Sequence, residues 1–227
     1  DGTMCITSLK VNMLGGLSIR SGDVEINDGD NRSRKVWLLL AYMIYCRKRP
    51  ITQEELVRLL WDDADSVTNP ANALKTMFHR VRTTLDRLGD SAGHVLIVRQ
   101  GGSYAWNCKV PLTLDVEAFD ELCQSASDAT RPKDRLERCL KALELYGGDF
   151  LEHFSSDPWV VPVAAYYHNV YLQVTHEVLP MLEEADRREE AALLCRQAIQ
   201  LDPYCEELYW HLMRNLLDLE RQKEAIV

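Results

Sequence analysis

The sequence predicts an α+β unit over residues 1–113 followed by an all-α unit over 114–227, and three observations carry that division. Strand-like alternation with glycine turns occurs only in the first half. Apolar residues at three- and four-residue spacing fill the second. The charge also splits there: residues 1–113 hold 15 Lys and Arg against 12 Asp and Glu, whereas residues 114–227 hold 11 against 23. With 227 residues, 46% of them hydrophobic, the chain is long enough to bury two cores.

Residues 5–27, CITSLKVNMLGGLSIRSGDVEIN, alternate apolar and polar residues around Gly15-Gly16 and Ser21-Gly22-Asp23, which predicts a small antiparallel sheet. The period then changes. SRKVWLLLAYMIYCRK (33–48) is almost continuously apolar and Pro50 stops it, as expected of a central buried helix. A second helix opens at TQEELVRLLW, where Thr52 caps and Glu55 completes a capping box. The third starts at Asn69-Pro70, a cap residue with proline at the first helical position, and is expected to run to Gly89. HVLIVRQGGSYAWNCKV then reads as a hairpin turning at Gly101-Gly102. Sheet, three helices and a terminal hairpin make the winged helix-turn-helix order.

Past Leu114 the pattern is helical throughout. Ala191, Ala198 and Pro203 occupy the small and helix-breaking places of a tetratricopeptide helix pair, and Ala225 follows Ala191 by 34 residues, the length of that repeat. Tyr209, Leu212 and Leu216 stand where large packing residues are expected, while Thr175 stands at a bulky position of the first copy. An irregular helical bundle is the alternative. Trp159, Tyr166, Tyr167, Tyr171 and Trp210 read as core rather than as a ligand cage, and His176-Glu177 as a satisfied interface pair.

The third helix, 70–88, has two faces. Leu74, Phe78, Val81 and Leu85 form its apolar stripe; opposite them lie Asn72, Thr76, His79, Thr83 and Arg87, flanked by Lys75, Arg80 and Arg82. Four Lys and Arg meet a single acid, Asp86, on this segment. Amide and forked donors of this kind read base edges in a major groove that admits one helix, while Lys and Arg neutralise phosphates. A solvated face is the competing explanation, but such faces usually mix both signs of charge. In the hairpin 95–107, Arg99 and Gln100 sit beside the turn, where a wing reaches a phosphate or the minor groove.

Other classes are excluded by what is missing. The sequence carries no GxGxxG, Walker, HExxH or GxSxG motif, and no CxxC pair among its seven cysteines, so neither an enzyme, a cofactor nor a metal site is expected. The odd, scattered cysteines suit a reducing cytoplasm, and no apolar run approaches the roughly 18–20 residues that span a bilayer.

RKVWLLLAYMIYCRKRPITQEELVRLLWDD (34–63), HRVRTTLDRLG (79–89) and VRQGGSYAWN (98–107) resemble the OmpR-type winged helix of SARP-type bacterial activators. LDVEAFDEL (114–122), ALELYGGDFL (142–151) and the repeat-like end are similar to the bacterial transcriptional activator domain that follows it in those proteins. The resemblance implies a transcription regulator that binds double-stranded DNA. His79, Arg80, Arg82 and Thr83 match the DNA-facing stretch, and Arg99 matches the wing arginine. It also implies that Asp62, Asp63 and Asp65 lie in a loop that contacts RNA polymerase. Two features depart from the family pattern: the helix is less arginine-rich, and the wing tip is one residue longer.

If the helix reads DNA, Arg80→Ala or Arg82→Ala should cost about 1–3 kcal/mol where the side chain meets a base edge. The rival expectation is an acidic interaction scaffold that does not bind DNA. The open repeat at Ala225 predicts that the chain continues past Val227 or pairs with a second copy.

Overall fold

A computed structural model describes residues 5–30, 33–62 and 67–226. Contacts divide the chain into two compact units, Asp1–Leu114 and Asp115–Val227. The first contains two sheets and four helices among the described residues, and the second is helical.

Strands β1 (Leu9–Asn12), β2 (Ser18–Ser21) and β3 (Val24–Asn27) form the expected antiparallel meander. Leu9, Val11, Ile19 and Ile26 alternate into the core, so the pleat sets the register. Gly22, at φ +58°, takes the left-handed turn between β2 and β3. Helix α1 (Arg34–Tyr45) buries Val36 to Ala41 without a break, then Met43 and Ile44, as its apolar run predicts for a central helix.

Strand β4 (Ile51–Thr52) leads into α2 (Gln53–Leu60), and α3 spans Pro70–Leu85. The third helix is therefore shorter than the sequence suggests: its last turn, Asp86–Leu88, tightens to a 3-10 helix before Gly89. The expected hairpin also starts later. Ala92–Leu96 forms a short helix, α4, and only then come β5 (Ile97–Gln100) and β6 (Ser103–Trp106). These two pair antiparallel, and β4 joins the far side of β6, giving the order β4-β6-β5. Strand β7 (Leu112–Leu114), absent from the sequence expectation, lies parallel to β1, with Leu9 opposite Leu112 and Val11 opposite Leu114.

In the second unit α5 (Asp115–Asp128), α6 (Pro132–Leu145), α7 (Val160–Glu184), α8 (Arg188–Leu201) and α9 (Glu206–Ala225) each pack on the next. Ala142, Ala191 and Ala198 are fully buried, small residues that let neighbouring helices approach closely. Thr175 is fully buried too, so a polar residue fills the bulky place. Two aromatic expectations fail. Tyr167 and Tyr171 are core, but Tyr166 is 59% and Trp210 56% exposed. Both lie on helix faces that no element covers among the described residues. Tyr209 is exposed for the same reason, and Leu212 and Leu216 are only half-buried.

Candidate nucleic-acid interface

Helix α3 is held by its apolar stripe. Leu74, Phe78, Val81 and Leu85 are fully buried, and the Phe78 ring stacks on Tyr104 of β6 with centroids 3.9 Å apart. At its start, Asn69 Oδ1 accepts from the Asn72 backbone N–H at 3.2 Å, which satisfies one of the helix's open donors. With that side fixed, the opposite side has one orientation. Asn72, Lys75, Thr76, His79, Arg80 and Thr83 are all exposed along it.

The two threonines have a particular chemistry. Thr76 donates to the Asn72 carbonyl at 3.1 Å and Thr83 to the His79 carbonyl at 3.0 Å. Their hydroxyl protons are thus used within the helix, leaving methyl groups and oxygen lone pairs to face outward. A methyl in a major groove suits the thymine C5-methyl. The lone acid of the segment, Asp86, accepts from the Gly93 backbone N–H at 2.8 Å and so is committed to holding α4.

The other predicted residues divide. Arg82 is half-buried and donates from Nη2 to the Ile97 carbonyl at 3.1 Å, tying α3 to the first residue of β5. Gly93 lies against it so closely that an added Cβ would stand 2.5 Å from Arg82 Cα. Arg87, in the 3-10 turn, approaches Asp30 at 3.6 Å. Arg99 and Gln100 point to opposite faces of the wing: the Arg99 guanidinium lies 5.0 Å over the Tyr104 ring, on the α3 side, whereas Gln100 alternates to the outer side. Gly101, at φ +59°, makes the turn between them and β6. Asp62 is exposed; Asp63 and Asp65 lie outside the described residues.

Helix α2 is braced against α1 by a small ionic cluster. Thr52 Oγ1 accepts from the Glu55 backbone N–H at 3.2 Å, but the Glu55 carboxylate does not return to Thr52 as a capping box would. It accepts two bonds from Arg49, at 2.9 and 2.6 Å, and one from the Tyr42 hydroxyl. Arg49 holds the Glu55 carboxyl below the usual carboxylate range, and the Tyr42 bond adds to this against the cost of partial burial. Burial and this carboxylate push the Tyr42 hydroxyl well above its ordinary value.

A second set of cations escaped the sequence reading. Arg47, Lys48 and Arg49, from the turn after α1, and Lys109, after β6, line a groove of about 580 Å³. The signal was the run Arg47-Lys48-Arg49 beside Pro50. Among the described residues, no group of three His, Cys, Asp or Glu could hold a metal, and no helix is long and apolar enough to cross a membrane.

The sequence model of the bacterial transcriptional activator domain matches residues 114–227. The fold is similar to that of Mycobacterium tuberculosis EmbR, solved in complex with a low affinity phosphopeptide, with a TM-score of 0.69 at 18% identity. That match covers 96% of this chain and 56% of the other, so the chain spans little more than half of that longer protein. No curated protein matches the chain by sequence. With half of its length accounted for by that domain, the chain belongs to the bacterial transcriptional activator domain family.

Proposed function

We propose that the chain is a sequence-specific, DNA-binding transcription regulator acting as an activator in the SARP-type arrangement. The observation that carries this reading is the outward side of α3, where Asn72, Lys75, Thr76, His79, Arg80 and Thr83 are exposed together and no acid interrupts them. In this reading α3 enters the major groove and these six side chains meet bases and phosphates. Arg82 and Arg87 hold the helix in place, and Arg99 with Gln100 brings the wing to the flanking backbone. The helical unit serves protein contacts, and the loop around Asp62, Asp63 and Asp65 faces RNA polymerase.

Footprinting of the purified chain on its own upstream region tests this, with Arg80→Ala alongside. Protection should appear for the wild type and weaken by about 1–3 kcal/mol in the variant, with affinity falling steeply as salt rises. Salt-insensitive binding, or none, would reject it.

A second reading, an interaction scaffold that does not bind DNA, has one specific support. Helix α9 exposes Tyr209, Trp210, Met213 and Leu217, an apolar strip of the kind that takes a partner or a second copy of the chain. The two readings part at the Arg80 variant, which a scaffold would not notice.

A further inference from the structure

The groove lined by Arg47, Lys48, Arg49 and Lys109 lies on the outer face of the wing. Val98 and the buried Ala105 form its floor, the exposed Pro50 is a further lining residue, and the amides of Gln100 and Asn107 add to the lining. Strand alternation explains the floor. Val98 pairs with Ala105, and both project away from the side where Tyr104 stacks on Phe78.

The cations come from separate parts of the chain that are fastened together: Cys108 donates from Sγ to the Arg47 carbonyl at 3.2 Å, and the Lys109 backbone N–H donates to Asn107 Oδ1 at 3.1 Å. The groove's walls are therefore set before any ligand arrives. None of its lining residues is acidic. Arg49 is already neutralised by Glu55, and Arg47 donates to the Ile44 carbonyl at 3.4 Å, near the end of α1. Lys48 and Lys109 are exposed and make no ion pair among the described residues.

A positive charge near a helix C-terminus has a local explanation in the helix dipole. That accounts for a cation after α1 but not for Lys109, which belongs to another element and converges on the same groove.

We propose that this groove is a phosphodiester-binding site, in which Lys48 and Lys109 neutralise one or two backbone phosphates of duplex DNA and Gln100 donates to their oxygens. The inference rests on the DNA-binding reading and extends it. Gln100 belongs both to the wing tip and to this groove, so a duplex strand gripped at the tip has a continuous path along the outer face. The site recognises phosphate and no base edge, so it adds affinity without changing sequence preference.

The test uses the whole chain and a fluorescently labelled mixed-sequence duplex two helical turns long, with binding followed by anisotropy over a potassium chloride series. Wild type, the double variant Lys48→Ala/Lys109→Ala and Arg80→Ala are compared, with the upstream region as a second duplex. Each lost phosphate contact lowers the slope of log K against log salt by about 1. The double variant should therefore lose one to two units of slope and weaken on both duplexes by the same factor.

A double variant with wild-type slope and affinity would overturn the proposal, including the case in which an acid-rich protein is the true occupant. Unequal loss on the two duplexes would overturn the claim that the site reads only phosphate. Failure of the underlying reading looks different: the wild type itself would show no salt-dependent binding, and Arg80→Ala would match it.

Discussion

Arg80 and Arg82 stand two residues apart on one helix, and replacing each with alanine should give opposite outcomes. Arg82→Ala removes a charge-assisted hydrogen bond to the Ile97 carbonyl, which belongs to a buried residue at the root of the wing. Such a bond is worth about 1.5–3 kcal/mol. The Arg82 Nε is buried without a hydrogen-bond partner among the described residues, and losing it returns part of that, so the lower half of the range is expected. At about 4 °C of Tm for each kcal/mol in a domain of this size, thermal unfolding should move down by roughly 6–9 °C. Arg80 is exposed and its removal should change stability by less than about 0.5 kcal/mol. DNA affinity, measured well below both transitions, should fall with Arg80→Ala by about 1–3 kcal/mol and change little with Arg82→Ala. Differential scanning fluorimetry and anisotropy on the same preparations give both readouts. An Arg82→Ala protein with wild-type Tm that loses affinity like Arg80→Ala would refute the division of roles.

Gly93→Ala would place a methyl 2.5 Å from Arg82 Cα, Cβ and carbonyl oxygen, and should destabilise the first unit by about 1–3 kcal/mol in urea titrations; a neutral result would mean the α3–α4 contact is looser than described. Because the folded state holds the Glu55 carboxyl below its ordinary range, its stabilisation is complete above that range and is lost as pH falls through the lowered value. Glu55→Gln should therefore lower Tm at neutral pH and converge with wild type in acid, and a constant offset across pH would contradict the Arg49 pairing. Burial pushes the Cys195 thiol up to about 12, while Cys5 and Cys108 are exposed. Mass spectrometry after brief iodoacetamide treatment should find Cys5 and Cys108 alkylated well before Cys195, and simultaneous labelling would refute that burial. Trp210→Ser, at a ring 56% exposed, should alter stability by less than about 0.5 kcal/mol; a larger loss would mean the ring is covered.

The second and third helices were legible because each carries its own period and its own start signal: Thr52 and Asn69 cap where their spacing says they should. The features that were not legible depend on partners distant in sequence. Two residues, Ile51 and Thr52, are a strand only because Tyr104 and Ser103 lie beside them, and Leu112–Leu114 only because β1 does. Glu55 fits a capping box by spacing, yet the guanidinium of Arg49 is a stronger partner than a backbone N–H and takes its carboxylate. The helical wheel gave Arg80 and Arg82 equal standing. Which of them meets β5 is decided by the side of α3 on which the wing root packs. Aromatic residues at helical spacing on α7 and α9 indicate a core only where another helix arrives, as it does for Tyr171 and not for Trp210.

The pairing of β1 with β7 joins the first described strand of the N-terminal unit to its last, across about a hundred residues of intervening chain. Neither end can be trimmed independently. A clone begun after Asn12 would strip the partner from Leu112–Leu114, and one stopped before Leu112 would leave an open sheet edge at Leu9–Asn12, ready to recruit a foreign strand. An expression boundary for the isolated N-terminal unit therefore has to enclose both segments, and a soluble product lacking either one would have to draw that missing partner from another molecule.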